Sequence, residues 1–180
     1  MRISYIRRFQ IKPNKIHIIG GPGSGKSYAA NRLAQMLDIP VFDLDQLFWD
    51  LSSARYGIRT SEDVRDNKLR EIFQKDKWII EGVYYSWLYD SFVQADMIII
   101  LNPNPFLRTW RILKRFIKRK LKLMQSKNEN IKDLVRLIIW NHKYNGDNLR
   151  CALEIIQEFD NKTIYVDQAD DALSIIKNKV

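Results

Sequence analysis

The segment GGPGSGKS at residues 20–27 constrains the fold of this chain more than any other part of its sequence. It matches the pattern G-x-x-x-x-G-K-[ST] in full, it follows a short β-branched run, and it opens a helix-like pattern. Glycines let the backbone wrap an anion with its N–H groups pointing inward, and a helix N-terminus adds partial positive charge. The pattern and its context predict a phosphate-binding (Walker A) loop between a strand and a helix.

Two side chains of such a loop have separate tasks. Lys26 is expected to reach the β- and γ-phosphates of a nucleoside triphosphate, and the Ser27 hydroxyl is expected to bind Mg²⁺. ATP and Mg²⁺ are therefore the predicted cofactors. The predicted nucleotide-binding residues of the loop are Gly20, Gly21, Pro22, Gly23, Ser24, Gly25, Lys26 and Ser27.

Short apolar runs alternate with longer helical patterns along the chain. Strands are predicted at 15–20, 39–45, 77–82, 95–101 and 162–167, and the longer helices at 27–38, 61–76, 105–124, 129–144, 146–159 and 168–179. This alternation implies right-handed βαβ crossovers and an α/β fold, a three-layer αβα P-loop NTPase domain with a five-stranded parallel sheet. No linker divides the chain, so we expect one domain over 15–180 and an N-terminal extension over 1–14.

Three carboxylates follow predicted strands at the edge where ligands bind in such sheets. Asp43 and Asp45 end the second strand, and Glu81 ends the third. Side chains two residues apart on a strand point to the same face, so Asp43 and Asp45 are expected to face one site. For each residue alone, capping or surface pairing is the alternative. Because Asn102 stands where the fourth strand would offer a carboxylate, we expect the metal to rely on Ser27, Asp43 and water.

Aromatic residues come after these carboxylates. Trp49, Tyr84, Tyr85 and Trp87 either stack a planar ring or pack in the core. Gly82 would let a substrate or backbone approach closely. The predicted acceptor site consists of Asp45, Trp49, Glu81, Gly82, Tyr84 and Tyr85.

The net charge of the chain is concentrated in one segment. Residues 97–128 contain no acid and nine Lys and Arg, which equals the formal net charge of +9. Within it, 105–124 predicts a basic lid helix with an apolar stripe that is expected to pack on the domain. That stripe consists of Trp110, Leu113, Ile117 and Leu121.

Three interpretations of the basic helix stay open. As a lid, it would place Arg111 or Arg115 on the transferring phosphates, with Arg108 also at the nucleotide. As a solvated helix, it would have no dedicated ligand. As a polyanion-binding surface, it would contact nucleic acid through Lys118–Lys127, which lies about 15 Å or more beyond the lid arginines at 1.5 Å per residue.

Composition and run lengths indicate the compartment in which the protein is expected. A single cysteine, Cys151, excludes an internal disulfide and fits a reducing compartment, so a cytoplasmic location is expected. The apolar runs are too short to span a bilayer, and no membrane insertion is expected. A monomer or a homodimer is expected. His142, the one histidine outside a predicted strand, is expected to be structural.

The chain resembles the adenylate-kinase-like P-loop kinases, the group of nucleoside monophosphate, shikimate and gluconate kinases, in the segments GGPGSGKS, DLDQLFW, WIIEGVYYSWL and ADMIIILNP. More narrowly, it resembles the FlaR-related proteins, named as DNA topology modulation proteins, in WIIEGVYYSWL, LNPNPFLRTWRILKRFIKRK and WNHKY. The resemblance runs from about Lys15 to the C-terminus. The narrower resemblance implies an effect on DNA supercoiling.

The wider resemblance implies roles by position. Asp43 resembles the Mg²⁺-side acid, and Asp45 the acceptor-hydroxyl partner, of the D-x-D in shikimate-type kinases. Glu81 takes the place of the aspartate that ends strand three in adenylate kinases. Tyr84 and Tyr85 stand where those kinases have P-R, so the arginine that grips an AMP-type phosphate is missing and AMP is not the expected acceptor.

The predicted function is ATP-dependent phosphoryl transfer to a small-molecule acceptor, such as a nucleoside, a nucleotide or a similar metabolite. The expected catalytic residues are Lys26, Asp45, Arg111 and Arg115. The alternative is an ATP-binding protein that binds or modulates DNA or RNA through its basic helix, with hydrolysis as a switch.

Overall fold

A computed structural model describes residues 12–50, 57–121 and 130–178. Its strands are β1 (Lys15–Gly20), β2 (Val41–Asp43), β3 (Trp78–Gly82), β4 (Met97–Leu101) and β5 (Thr163–Val166). Its helices are α1 (Lys26–Leu37), α2 (Leu44–Phe48), α3 (Glu62–Phe73), α4 (Tyr89–Gln94), α5 (Pro105–Lys120), α6 (Ile131–Lys143), α7 (Asn148–Ile156) and α8 (Ala169–Lys177). A 3₁₀ segment, Gln157–Lys162, precedes β5.

The five strands form one parallel sheet in the order β2-β3-β1-β4-β5. The central strands are nearly continuous apolar runs because both of their faces are covered. On β4, Met97, Ile99 and Leu101 pack toward α1 and α8. Ile98 and Ile100 point the other way, into the core formed with α2, α3, α4 and α7. The sequence prediction of a three-layer αβα domain with five parallel strands is confirmed.

The element boundaries differ from the prediction at β2. The predicted strand 39–45 is a strand only over Val41–Asp43, and a helical turn begins at Leu44. The short helices α2 and α4 were not predicted, because five or six residues are too few to give a helical period. Residues 12–14 already belong to the fold, since the Trp78 amide donates to the Asn14 carbonyl at 3.0 Å.

The side of helix α5 that packs on the domain is the opposite of the predicted one. Asn104 caps it by accepting from the Phe106 amide, and Pro105 occupies its first turn. Its buried residues are Arg108 and Ile112, whereas Trp110, Ile117 and Leu121 are 63%, 54% and 63% exposed. The prediction that the apolar stripe packs on the domain is therefore wrong. The arginine side of the helix packs inward instead.

None of the helices in the described ranges is long and apolar enough to cross a membrane.

Candidate active site

The phosphate loop connects β1 to α1 at the carboxyl edge of the sheet. Gly23 and Gly25 have φ angles of 70° and 103°, a conformation that side chains rarely adopt. At Gly23 a Cβ would also lie 2.6 Å from the carbonyl oxygen of Arg108. The loop therefore needs glycine at both positions, and it directs the start of α1 into a cavity.

Lys26, the first residue of α1, is buried below the loop. Its Nζ donates to the Gly21 carbonyl at 3.1 Å. Burial lowers the pKa of Lys26, while the carboxylates of Glu81, Asp45 and Asp43 act in the opposite direction. Burying an ammonium is costly unless an opposite charge lies beside it. An anion bound at the inward N–H groups of the loop would therefore stabilise the charged form of Lys26.

One large cavity of about 1100 Å³ joins most of the predicted site residues, and its lining leaves out Gly20, Gly21, Ser24 and Arg108. This volume exceeds the range of about 300–1,000 Å³ typical of a pocket for one small molecule, so it has room for two ligands. Its charged and polar lining includes Lys26, Ser27, Asp43, Asp45, Arg59, Glu62, Arg65, Glu81, Arg111 and Arg115. Its aromatic lining consists of Tyr28, Phe48, Trp49, Tyr84, Tyr85, Trp87 and Trp140.

Ser27 and Glu81 meet at the floor of this cavity. The Ser27 hydroxyl donates to Oε1 of Glu81 at 2.6 Å. Glu81 is buried, and burial raises the pKa of its carboxyl, although Lys26 and the bond from Ser27 lower it. The sequence interpretation put Glu81 on the acceptor side, whereas its carboxylate lies at the hydroxyl that was predicted to bind the metal.

Asp43 and Asp45 both line the cavity, but not for the predicted reason. Asp43 ends β2 beside Glu81 in the register of the sheet. Its carboxylate caps α2 by accepting from the Asp45 amide at 2.9 Å. Asp45 therefore lies on a helical turn, and the expectation that both residues lie on one strand with their side chains on the same face is wrong. The cap brings the two carboxylates to the same cavity.

Tyr84 holds Asp45 in place. Its hydroxyl donates to Oδ1 of Asp45 at 2.8 Å, and its ring stacks on Phe48 at 4.6 Å between centroids. Burial and the neighbouring Asp45 carboxylate raise the pKa of Tyr84 well above its usual range, so the hydroxyl keeps its proton. Trp87 packs against the other side of the pair at 5.4 Å.

Two arginines that sequence reasoning missed line the aromatic half of the cavity. The Arg65 guanidinium lies 4.5 Å from the Trp87 ring centroid, and Arg59 lies 5.2 Å from that of Phe48. Arg59 is placed by a β-bridge to Trp49. Arg65 lies on α3, whose amphipathic pattern is too weak to predict which side faces inward. The two arginines are placed at the cavity by the long-range bridge and by the packing of α3, which the sequence does not show.

At Gly82 the close neighbour is a side chain of the protein itself. A Cβ there would lie 2.8 Å from Cδ1 of Leu44, so the glycine admits α2 against the sheet. Gly82 also lines the cavity, as do Tyr85 and Trp49.

Arg111 and Arg115 project from α5 into the cavity in different ways. Arg111 donates to the carbonyls of Gly23 and Ser24 at 3.4 and 3.0 Å, and to Oε1 of Gln168 at 2.8 Å. It thus anchors α5 to the outside of the phosphate loop. Arg115 lies further along the helix, lines the cavity, and adds its charge to the field that lowers the pKa of Lys26.

Arg108 does not line the cavity, contrary to the prediction that it binds the nucleotide. It is fully buried behind the loop, where Nη1 would lie 2.2 Å from a Cβ on Gly21. One bond goes to the Asn141 carbonyl at 3.2 Å, and the guanidinium lies 5.7 Å from the Tyr144 ring centroid. Its Nε and Nη1 have no hydrogen-bond partner. A cation is thus buried directly behind the phosphate loop.

His142, Lys118 and Lys120 lie outside the cavity. His142 is exposed and contacts the Thr109 hydroxyl at 3.2 Å. Of the segment Lys118–Lys127 that was predicted to contact nucleic acid, residues 122–127 lie outside the described residues.

Of the comparisons with known proteins, only the comparison with solved structures gives a match, and it concerns the fold. No family model and no curated protein matches the chain. Among solved structures, a shikimate kinase from Bacteroides thetaiotaomicron superposes with a TM-score of 0.50 at 19% sequence identity, over 92% of this chain and 96% of that one. The chain therefore has the same αβα P-loop fold as that structure, as the wider resemblance implied. The narrower resemblance to FlaR-related proteins finds no support in these comparisons.

Proposed function

We propose that this protein is a phosphotransferase that uses ATP and Mg²⁺ to phosphorylate a small molecule in the cavity described above. The observation that carries the proposal is the shared lining of that cavity: a phosphate loop, three carboxylates and two α5 arginines surround a space large enough for a donor and an acceptor. In phosphoryl transfer, catalysis consists mainly of positioning and electrostatic stabilisation, and these residue types supply both.

The donor half is the phosphate loop with α1. Its backbone N–H groups and the positive end of α1 cradle the β-phosphate. Lys26 contacts the β- and γ-oxygens, and their charge offsets the cost of burying its ammonium. Arg108 adds a second positive charge behind Gly21 without touching the nucleotide.

The residues at Ser27 fit a magnesium ion. Mg²⁺ prefers hydroxyl and carboxylate oxygens, keeps several waters, and commonly takes one or two protein carboxylates. The described residues contain no group of three or more His, Cys, Asp or Glu that could hold a metal ion. Ser27 and Glu81 would hold it, with Asp43 beside them. Bound there, the metal supplies charge neutralisation at the β- and γ-phosphates.

The acceptor half is the aromatic side of the cavity. Asp45 orients the acceptor hydroxyl and takes its proton, while the Tyr84 hydroxyl fixes the direction of the carboxylate. Phe48, Trp49 and Trp87 favour a planar ring. Arg59 and Arg65 stand above two of these rings, and Arg59 favours an acceptor that carries an anionic group, while Arg65 already pairs with Asp66 at 2.8 Å.

Arg115 is the arginine that we assign to the transferring phosphoryl group. A guanidinium binds two phosphoryl oxygens at once, and such an arginine contributes on the order of 10³-fold or more to the rate. Arg111 donates to the loop carbonyls and to Gln168 and thereby fixes α5 over the loop.

No feature within residues 12–50, 57–121 and 130–178 favours a nucleic-acid switch over phosphoryl transfer, and that alternative stays a prediction. An ADP-release assay with and without a pool of small hydroxylated metabolites separates the two. We expect ADP release to rise at least about tenfold with the pool and to disappear in Lys26→Ala. ADP release that is equal with and without the pool, and that DNA stimulates, would refute the phosphotransferase proposal.

A further inference from the structure

The arginines and the lysines of helix α5 lie on different sides of the helix. Its arginines, at positions 108, 111, 115 and 119, are buried or half-buried, and they face the phosphate loop side. Its lysines, at positions 114, 118 and 120, are exposed. Between these lysines runs an exposed apolar stripe of Phe106, Trp110, Ile117 and Leu121, of which Phe106 is 77% exposed.

Helix α6 packs beside α5 and carries a second exposed stripe. Ile131, Val135 and Ile139 recur every four residues, so they lie on one side of the helix. The Phe106 ring lies 5.9 Å from that of His142, which follows Ile139 by one helical turn, so the end of the α6 stripe is near the start of the α5 stripe. We call the seven exposed apolar residues of both helices the α5–α6 face. They are Phe106, Trp110, Ile117, Leu121, Ile131, Val135 and Ile139.

Basic residues border the α5–α6 face on α6 as well. Lys132, Arg136 and Lys143 are exposed beside its stripe. The one acid on either helix, Asp133, is 3.8 Å from the Arg136 guanidinium and also caps α6. The face thus combines an apolar centre with a margin that is almost entirely positive.

Large hydrophobic side chains on a continuous exposed surface mark a binding site for something apolar. Elsewhere in the described residues such side chains occur singly, at Tyr28, Ile58, Val64 and Tyr165, or as the one pair Tyr89 and Val93 on α4. The occupant of the α5–α6 face must therefore bury Trp, Phe, Ile and Leu while it accepts positive charge at the margins.

From this combination we infer that the α5–α6 face binds the surface of an anionic lipid bilayer. An amphipathic helix with Trp, Phe and Leu on one side and lysines along its borders lies in the interface plane, with its apolar side about 5–10 Å deep. Lysine stems extend along the apolar surface and place their ammonium groups among anionic headgroups. The outward-facing cations of α5 are all lysines.

The charge of the α5–α6 face disfavours a second copy of the chain, nucleic acid and residues 1–11 as its occupant. A second copy docked through the same face would set the lysine borders of the two copies close to each other. Nucleic acid needs cations along its phosphates, whereas the centre of this face is apolar. The residues 1–11, which the structure does not describe, contain three arginines and no acid, so they carry the same charge as the border.

This inference does not depend on the proposed function. The cavity lies against the opposite side of α5, where Arg111 and Arg115 project. One helix can therefore contact lipid on its outer side and phosphate on its inner side at the same time.

The test is flotation of the full chain with vesicles of phosphatidylcholine and phosphatidylglycerol in a two-to-one ratio, compared with pure phosphatidylcholine. One double variant, Trp110→Ser with Ile117→Ser, removes the apolar centre. A second, Lys114→Glu with Lys118→Glu, reverses the border. The matched controls are Val64→Ser with Val93→Ser, and Lys68→Glu with Lys177→Glu, which change exposed residues of the same kinds on other helices.

We expect the wild type to bind the anionic vesicles at least about tenfold more tightly than the neutral ones, with an apparent affinity that falls about fivefold for each lysine removed. The apolar double variant loses about tenfold or more. Both controls bind like the wild type.

Three results would overturn the inference. The first is no binding of the wild type to anionic vesicles. The second is binding that depends on the lysines but not on Trp110 and Ile117, because that result indicates adsorption of a basic protein to any polyanion. The third is a wild-type dimer without lipid binding that Trp110→Ser with Ile117→Ser converts to a monomer, because a second copy would then cover the face.

Discussion

The Ser27 hydroxyl donates a 2.6 Å hydrogen bond to Oε1 of Glu81 and so ties the first turn of α1 to the end of β3. The two residues are 54 positions apart in the chain. The contact places a buried carboxylate at the hydroxyl of the phosphate loop, and it moves Glu81 from the acceptor side to the metal side of the proposed site.

Glu81→Gln tests this assignment. The amide keeps the size of the side chain but loses the charge that would hold Mg²⁺, so the Mg²⁺ concentration required for ATP turnover should rise by about 10- to 100-fold. Binding of ATP without metal should change little. A magnesium titration of turnover measures the effect, and Glu71→Gln, an exposed glutamate on α3, is the matched control. An unchanged magnesium requirement would show that Glu81 is not on the metal side.

Asp45→Asn should abolish acceptor phosphorylation while ATP still binds. Removal of a general base costs about 10²- to 10⁴-fold in rate. Tyr84→Phe removes only the bond that orients Asp45, so its loss should be smaller and should appear in kcat more than in ATP affinity. Product formation and ATP binding are measured on the same preparations, with Asp38→Asn as the exposed control. If Asp45→Asn keeps full product formation, the carboxylate has no part in acceptor chemistry.

Arg108→Met should weaken ATP binding without weakening the fold. A buried, incompletely paired cation destabilises the folded chain, and an apolar side chain of similar size in its place is often neutral or stabilising. The free energy of unfolding without nucleotide should therefore change by less than about 2 kcal/mol, while ATP affinity should fall by about tenfold. Calorimetric titration and urea unfolding measure the two quantities, and Arg136→Met is the exposed control. Unaltered ATP affinity would mean that the charge behind Gly21 does not act on the phosphates.

His17 predicts a pH dependence of stability. Burial lowers the pKa of this imidazole from 6.5 to about 3, and its Nδ1 pairs with the Ser91 hydroxyl at 2.7 Å. Below about pH 6.5 the unfolded chain takes up a proton that the folded chain does not, so stability falls as the pH drops toward about 3, by about 1.4 kcal/mol per pH unit. His17→Gln should remove this part of the slope.

Urea unfolding of the wild type and His17→Gln at pH 7 and pH 5 measures the difference. We expect the wild type to lose about 2 kcal/mol more than the variant over this interval. Equal losses in both proteins would contradict a neutral, buried His17.

The strands and the phosphate loop were predictable because their signals are local. The run KIHIIG and the glycines after it specify a buried strand and a loop within a dozen residues, and β1 has the predicted bounds Lys15–Gly20. The helical turn at Leu44 was not predictable, since Asp43 caps it only in the context of the sheet. The pairing of Ser27 with Glu81 depends on the strand order, which local patterns do not contain.

The choice of which side of α5 is buried shows a second limit of sequence patterns. An amphipathic pattern identifies two sides of a helix but does not state which side faces the protein. Here the inward side is specified by Arg108 and Ile112, which pack against the phosphate loop. That contact exists only because α5 lies across the loop, so a rule that buries the apolar side gives the wrong answer.

The most direct test of the central claim follows the γ-phosphoryl group itself. ATP carrying ¹⁸O in its γ-phosphoryl group is incubated with Mg²⁺, the protein and a pool of hydroxylated, ring-containing anionic metabolites, and the labelled products are identified by mass spectrometry. We expect label in a phosphorylated member of the pool, and we expect the amount to fall on the order of 10²-fold or more in both Lys26→Ala and Asp45→Asn. Label that enters inorganic phosphate alone, at the same rate with and without the pool, would contradict that claim.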